Sequence, residues 1–143
     1  MFFLTLALLL AAAAATDQNW WLDAKGFTVH SAEELDDLIA KNPKAHILVD
    51  FYMQQCYWCQ KFMPEWNRLF EQLSSENLIF VKVDGPKNPY LAQEFGVSSY
   101  PSFVLVHGTQ YSQFSGERTF ANMKAWLDKY LPPAAEGQLA PPR

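Results

Sequence analysis

The feature that most restricts the fold of this chain is an apolar run, AHILVDFYM over Ala45–Met53, which stops just short of the only two cysteines, in QQCYWCQK over 54–61. The run is rich in β-branched and aromatic residues and too short for a typical helix, so it suits a strand buried on both faces. A strand of that kind needs a covering layer on each face. Just past Cys56 the pattern changes. Phe62, Trp66, Leu69, Phe70 and Leu73 recur at three- and four-residue steps, which predicts a helix from Tyr57 to about Leu73. Pro64 interrupts it, removes a backbone donor and should kink it.

The remaining elements follow from similar patterns. SAEELDDLIAK carries a capping-box signature, Ser31 with Glu34, ahead of the apolar stripe Leu35, Leu38 and Ile39. LIFVKVD over Leu78–Asp84 reads as a strand, and PYLAQEF from Pro89 as a short helix with proline near its start. SFVLV over Ser102–Val106 is a strand that turns at His107 and Gly108 into a partner, TQYSQF. The last helix, from about Thr119 to Leu131, uses Phe120, Met123, Trp126, Leu127 and Tyr130, and a short strand is expected near Phe27–Val29. The order β-α-β-α-β-β-α, after a leading helix and that short strand, describes an α/β sheet with helices on both faces. At 143 residues, 50% hydrophobic and 15% aromatic, the chain has material for one domain with a real core. A net charge of -4, with scattered acidic residues, leaves no basic footprint for nucleic acid.

MFFLTLALLLAAAAA, residues 1–15, is uncharged and is followed at once by polar TDQNW. It reads as a signal peptide ending in small residues, although no Lys or Arg precedes the apolar part. The alternative is an uncleaved membrane anchor, less favoured because spanning takes about 20 apolar residues. Either way the folded part, residues 16–131, is expected in an oxidising compartment: the secretory pathway, as endoplasmic reticulum lumen or secreted, or the periplasm in a bacterium. Residues 132–143, PPAAEGQLAPPR, read as a flexible tail, and APPR is not a KDEL-type retention signal.

A strand ending before Cys56 and a helix starting there place Cys56 at the helix N-terminus and Cys59 one turn inside, near enough for a disulfide to bridge them. The helix dipole and free N–H groups at that end favour a thiolate, so Cys56 is the natural nucleophile and Cys59 the resolving thiol. Zinc would need two more ligands, and His30, His46 and His107 are scattered along the chain. Haem attachment would need His after the second cysteine, where Gln60 stands. A purely structural disulfide remains an alternative, although so small a loop constrains the unfolded chain little.

VDFYMQQCYWCQKFMPEW, with Pro64 five residues after Cys59, resembles the strand, active-site loop and kinked helix of the thioredoxin family. The likeness is stronger to the thioredoxin-like domains of protein disulfide isomerases. EFGVSSYPSF over Glu94–Phe103 is similar to the segment ending in the family's cis-proline, and FSGERTFANMKAWLDKYL over Phe114–Leu131 to the final strand, glycine and helix of isomerase domains. The resemblance covers about Gly26–Leu131. It implies a thioredoxin fold, a central mixed β-sheet flanked by helices, with a redox-active Cys56–Cys59 disulfide and no dissociable cofactor or metal. Asp50, buried in its strand, would accept a proton from Cys59, with Lys82 as its partner. Pro101 would follow a cis peptide bond, leaving the Tyr100 backbone to pair with an extended substrate. Arg118 falls where isomerase domains carry an arginine that modulates the resolving thiol, and is equally plausible as a solvated surface charge.

The chain departs from its family between the cysteines, where thioredoxins have Gly-Pro and isomerases Gly-His but this sequence has Tyr57 and Trp58. Gln55 replaces the usual tryptophan before the first cysteine. Without a histidine cation between the cysteines, a more stable disulfide and a lower potential are expected. Tyr57 and Trp58 either form a landing surface for substrate chains, or Trp58 folds back to fill the gap left at position 55. The resemblance implies a thiol-disulfide oxidoreductase acting on cysteine-containing protein substrates, with a redox partner the sequence does not name. The alternative is a non-catalytic binding or chaperone adaptor with an inert disulfide. A membrane association is expected only if the first segment stays uncleaved.

Overall fold

The computed structural model of the protein describes residues 19–132; the segment over 1–15 and all but the first residue of the tail over 132–143 lie outside the described residues. The elements are α1 (Trp20–Asp23), β1 (Phe27–Val29), α2 (Ala32–Lys41), β2 (His46–Tyr52), α3 (Tyr57–Leu73), β3 (Leu78–Asp84), α4 (Pro89–Glu94), β4 (Ser102–His107), β5 (Gln110–Gln113) and α5 (Phe120–Asp128). They form a five-stranded mixed sheet in the order β1-β3-β2-β4-β5. β3 lies parallel to β1 and β2, while β4 runs antiparallel to β2 and β5. The apolar run that predicted a doubly covered strand is β2, at the centre of the sheet.

Successive residues of a strand point to opposite faces, and the two faces fill two cores. Ile47, Val49, Phe51, Val81 and Val83 meet Leu35 of α2, Leu91 and Ala92 of α4 and Phe95 at the C-cap of α4. Leu48, Phe80, Phe103 and Leu105 lie under Phe62, Trp66 and Leu69 of α3 and Met123 and Leu127 of α5. Asp50 and Lys82 are direct neighbours across the β2–β3 pair and continue this second row. Strand pleating thus turns a carboxyl and an ammonium group into the layer beneath α3.

Local chemistry sets the element ends. The Ser31 hydroxyl accepts from the Glu34 amide at 3.2 Å, and the Glu34 carboxylate from the His30 amide at 2.7 Å. α3 continues through Pro64 as one helix, with Cys56 as its N-cap. Only the bond to the Gln60 carbonyl is forfeited by the missing donor, and the packed face of Phe62, Trp66 and Leu69 holds both halves. The last helix ends at Asp128 instead of Leu131 because the chain tightens there, with the Lys129 amide on the Trp126 carbonyl and the Tyr130 amide on that of Leu127.

The sequence reading did not anticipate α1, which is only one turn long. It is held by its surroundings more than by its own bonds. The Trp66 indole donates to the Lys25 carbonyl at 2.7 Å, the Lys25 amide to Asn67 Oδ1 at 2.8 Å, and the Asn67 side-chain amide to the Asp23 carbonyl at 3.3 Å. Gly26, at φ +107, then turns the chain into β1 so close to the Phe80 carbonyl oxygen that a Cβ would sit 2.7 Å from it. Only glycine fits both demands.

Trp66 meets Phe80 edge to face and stacks with Phe103, with ring centroids 5.0 and 6.1 Å away, and is 1% exposed. Trp66→Ala is expected to lower the unfolding free energy by about 3–5 kcal/mol, as read from urea titration.

Candidate active site

The end of β2 delivers the chain into the loop 53–55 and then into α3, and at that junction Cys56 and Cys59 are joined as a disulfide with their Cα atoms 5.2 Å apart. The Cys59 amide donates to Cys56 Sγ at 3.1 Å, so the first free N–H groups of α3 point at this sulfur. Such a donor stabilises negative charge on the atom that accepts it, and Cys56 sits at the positive end of the helix. Cys56 is 9% exposed and Cys59 4%, so both are buried and the first residue of the pair is the more exposed.

Asp50 is 6% exposed, and its Oδ1 has no hydrogen-bond partner among the described residues. Burial pushes its pKa up to about 7, against the downward pull of the Lys82 and Arg118 cations. Desolvation wins because neither cation bonds to it. Lys82 is its register neighbour, but the ammonium donates to the carbonyl oxygens of Trp21, at 3.0 Å, and of Ala24. The relation expected between Lys82 and Asp50 is therefore one of field, without an ion pair. The Lys82 pKa is itself lowered by burial, offset in part by Asp50 and Asp23.

The Tyr100–Pro101 peptide is cis, and Tyr100 packs against the buried cluster of Trp20, Tyr52, Cys56 and Cys59. Tyr57 and Trp58 are 62% and 63% exposed and meet edge to face at 5.1 Å. Trp58 does not fold back into the space left by Gln55. The indole beside the disulfide comes from α1 instead, as Trp20. Arg118 is exposed ahead of α5 and lines, with Trp58, Phe62 and Glu65, a cleft of about 410 Å³ along α3. His46 and His107, distant in sequence, stack at 4.1 Å at the opposite end of β2, away from the cysteines.

The family model described as Thioredoxin matches residues 26–129. The chain belongs to the thioredoxin family. Among curated relatives it is 32% identical over 115 residues to protein disulfide-isomerase A2 of Pongo abelii, covering 77% of this chain and 22% of that protein. It is 31% identical over 140 residues to protein disulfide-isomerase of Drosophila melanogaster, covering 95% of this chain and 28% of that one. It thus spans about a quarter of the length of these relatives. The thioredoxin of Fasciola hepatica superposes with a TM-score of 0.66 at 25% identity, over 73% of this chain and 99% of that one. The first thioredoxin domain of mouse protein disulfide-isomerase A4 gives 0.63 at 23% identity, over 80% and 84%, a likeness of fold. The cysteine pair of this thioredoxin-family chain is closed as a disulfide.

Three residues of this thioredoxin site escaped the sequence reading. Trp20 lies before the segment that carries the resemblance. Asp84, 9% exposed, accepts from the Gln54 side-chain amide at 3.0 Å and the Lys87 amide at 3.2 Å, and so steadies the loop ahead of Cys56. Gly85 lies against Tyr100, whose ring occupies the space that a Cβ would need. For Asp84 a signal was present, since a strand-end aspartate beside Gly85 and Pro86 is a turn motif, but its partner Gln54 could not be inferred.

Because the folded pKa of Asp50 lies near 7 and its ordinary value is 3.8, the native state binds this proton more tightly than the unfolded chain. The associated stability is complete below 3.8 and is lost as pH rises to about 7. Asp50→Asn, a neutral stand-in for the protonated acid, should melt close to wild type at acidic pH and well above it once Asp50 is ionised. Calorimetry of the oxidised protein from about pH 4 to about pH 8 is expected to show that gap opening.

Proposed function

We propose that the protein exchanges disulfides with cysteine-containing protein substrates through Cys56 and Cys59, in the manner of an isomerase domain. The observation that carries this reading is the Cys59 amide aimed at Cys56 Sγ, at the N-terminal end of a 17-residue helix, on the more exposed of the two cysteines. In the oxidising direction a substrate thiolate attacks Cys56, forming a mixed disulfide and breaking the Cys56–Cys59 bond. The electron pair leaves on Cys59, and protonated Asp50 supplies the proton. A second substrate thiolate then attacks the substrate sulfur of the mixed disulfide, releasing oxidised substrate and the Cys56 thiolate. In the reverse direction the Asp50 carboxylate takes the Cys59 proton, and the Cys59 thiolate expels the substrate from Cys56. An acid with a pKa of about 7 has both forms at hand near neutral pH.

Tyr57 and Trp58 offer the apolar landing surface in this reading, and the Tyr100–Pro101 loop beside the disulfide holds the extended substrate backbone. Arg118, at the mouth of the cleft by Trp58, acts on Asp50 through its field and modulates the proton transfer. Residues 1–15 support a secretory-pathway location, where disulfides persist. The redox partner is a second dithiol or disulfide protein, and no dissociable cofactor enters the exchange.

Cys59→Ser is expected to accumulate mixed disulfides through Cys56 on non-reducing gels of an oxidising extract. A protein that only binds partners with an inert disulfide would accumulate none, and that result would overturn the proposal. Trp58→His places a cation between the cysteines and should raise the reduction potential by tens of millivolts in glutathione equilibria, roughly a tenfold change per 30 mV. An unchanged or lower potential would show that the missing cation does not stabilise the disulfide.

A further inference from the structure

The stretch Trp20–Lys25 precedes the residues matched by the family model, which begin at 26, yet it touches the loop, the helix and the lysine of the redox centre. Trp20 is 4% exposed and shares one buried cluster with Tyr52, Cys56 and Cys59. Its indole donates to the Gln54 carbonyl at 2.9 Å and meets the Tyr52 ring edge-on at 5.7 Å. A loop carbonyl two residues before the nucleophile is thereby tied to α1. From the same segment the Trp21 and Ala24 carbonyls accept two hydrogen bonds from Lys82 Nζ. Asn67 and Trp66 of α3 fasten its far end, and Lys25 adds an ion pair to Glu71 at 2.7 Å.

The Lys82 geometry has a physical consequence. An ammonium has three donors, and here two go to carbonyl groups that the end of a short helix leaves without intrahelical partners. Cations are favoured at that end of a helix. Asp50, the register neighbour of Lys82, has no ion pair with it within 4.0 Å, and its Oδ1 is without a hydrogen-bond partner among the described residues. Were the carbonyls withdrawn, the buried ammonium would gain most by turning to the buried carboxylate. The paired carboxylate would then stay ionised and could no longer carry a proton to and from Cys59. The charged groups acting on Asp50 are Lys82 from β3 and Arg118 from the turn before α5, while Tyr52, on its own strand, feels the Asp50 charge.

We propose that the segment Trp20–Lys25 is a positioning element of the redox centre: its carbonyl groups hold the Lys82 ammonium off Asp50, and Trp20 fixes the loop that carries Cys56. The assignment rests on Asp50 as the proton carrier of the proposed exchange.

The test follows the Asp50 carboxyl ¹³C shift against pH in the oxidised full chain, where no thiol titrates and no turnover is required. In Trp20→Ala, with folding checked by near-ultraviolet circular dichroism, the Asp50 midpoint should fall by about one pH unit as Lys82 is released. Adding Lys82→Met should reverse that fall. An unchanged midpoint in folded Trp20→Ala, or a fall that persists in the double variant, would overturn the lysine part of the proposal. Lys82→Met alone covers the case in which Trp20→Ala does not fold. A rise of less than about one unit is expected from a cation already held off, whereas a larger rise would reveal a direct pair and overturn the proposal. Trp20→Phe keeps the ring and removes the donor. It should change the glutathione equilibrium constant at least about twofold, and an unchanged constant would remove Trp20 from the loop's support. If these shifts occur while Cys59→Ser traps nothing, the positioning element stands and the exchange reaction falls; the reverse pattern separates them the other way.

Discussion

β2 is hydrogen-bonded on both edges and covered on both faces, and the rest of the molecule is arranged around that fact. Its pairing with β3 and β4 fixes the centre of the sheet. Its alternating side chains divide the apolar residues into two cores, one under α2 and α4 and the other under α3 and α5. Its C-terminal end is where α3 must begin, so the cysteines inherit both a rigid support and the positive end of a helix. A redox pair placed on a loop would have had neither.

The same alternation buries Asp50. It stands in the row of Leu48, on a face given over to packing, where a charged carboxylate loses its hydration and receives little in return. Two cations lie within reach of its field, yet desolvation outweighs both, because Lys82 is engaged by carbonyl groups and Arg118 is exposed to solvent. Stability and chemistry are opposed at this residue. The burial that weakens the native state when Asp50 ionises is also what gives the acid a proton it can exchange near neutral pH.

Around the disulfide, aromatic groups divide into two roles. Trp20 and Tyr52 are buried beneath it and Tyr100 packs alongside, while Tyr57 and Trp58 stand out from the first turn of α3. Gln55 leaves the loop without its customary indole, and the chain supplies one from outside the family's usual boundaries. This arrangement frees Trp58 for contact with other molecules. It also ties the N-terminal segment to the site closely enough that changes there should reach the cysteines.

Much of this was legible in order along the chain, because hydrophobic periodicity and turn chemistry are local properties. The doubly covered strand, the helix starting at Cys56, the capping by Ser31 and Glu34 and the likeness around Pro101 all rest on residues near one another in sequence. Asp50 could be recognised as buried from the apolar strand around it, and Lys82 as its partner from the family resemblance; in the sheet the two are register neighbours. The direction of the Lys82 ammonium could not be read, because its acceptors are carbonyl groups some sixty positions away that carry no side-chain signature. Trp20, which is buried, and Trp58, which is exposed, are the same residue type, so composition does not separate them. The amino-acid sequence by itself determined every element but the one-turn α1, their order, and the placing of Cys56 and Cys59 at a helix start, for which neighbouring residues suffice. Tertiary structure alone decided which groups meet across the layers, because burial and hydrogen-bond partners depend on distances in space that the spacing along the chain does not contain.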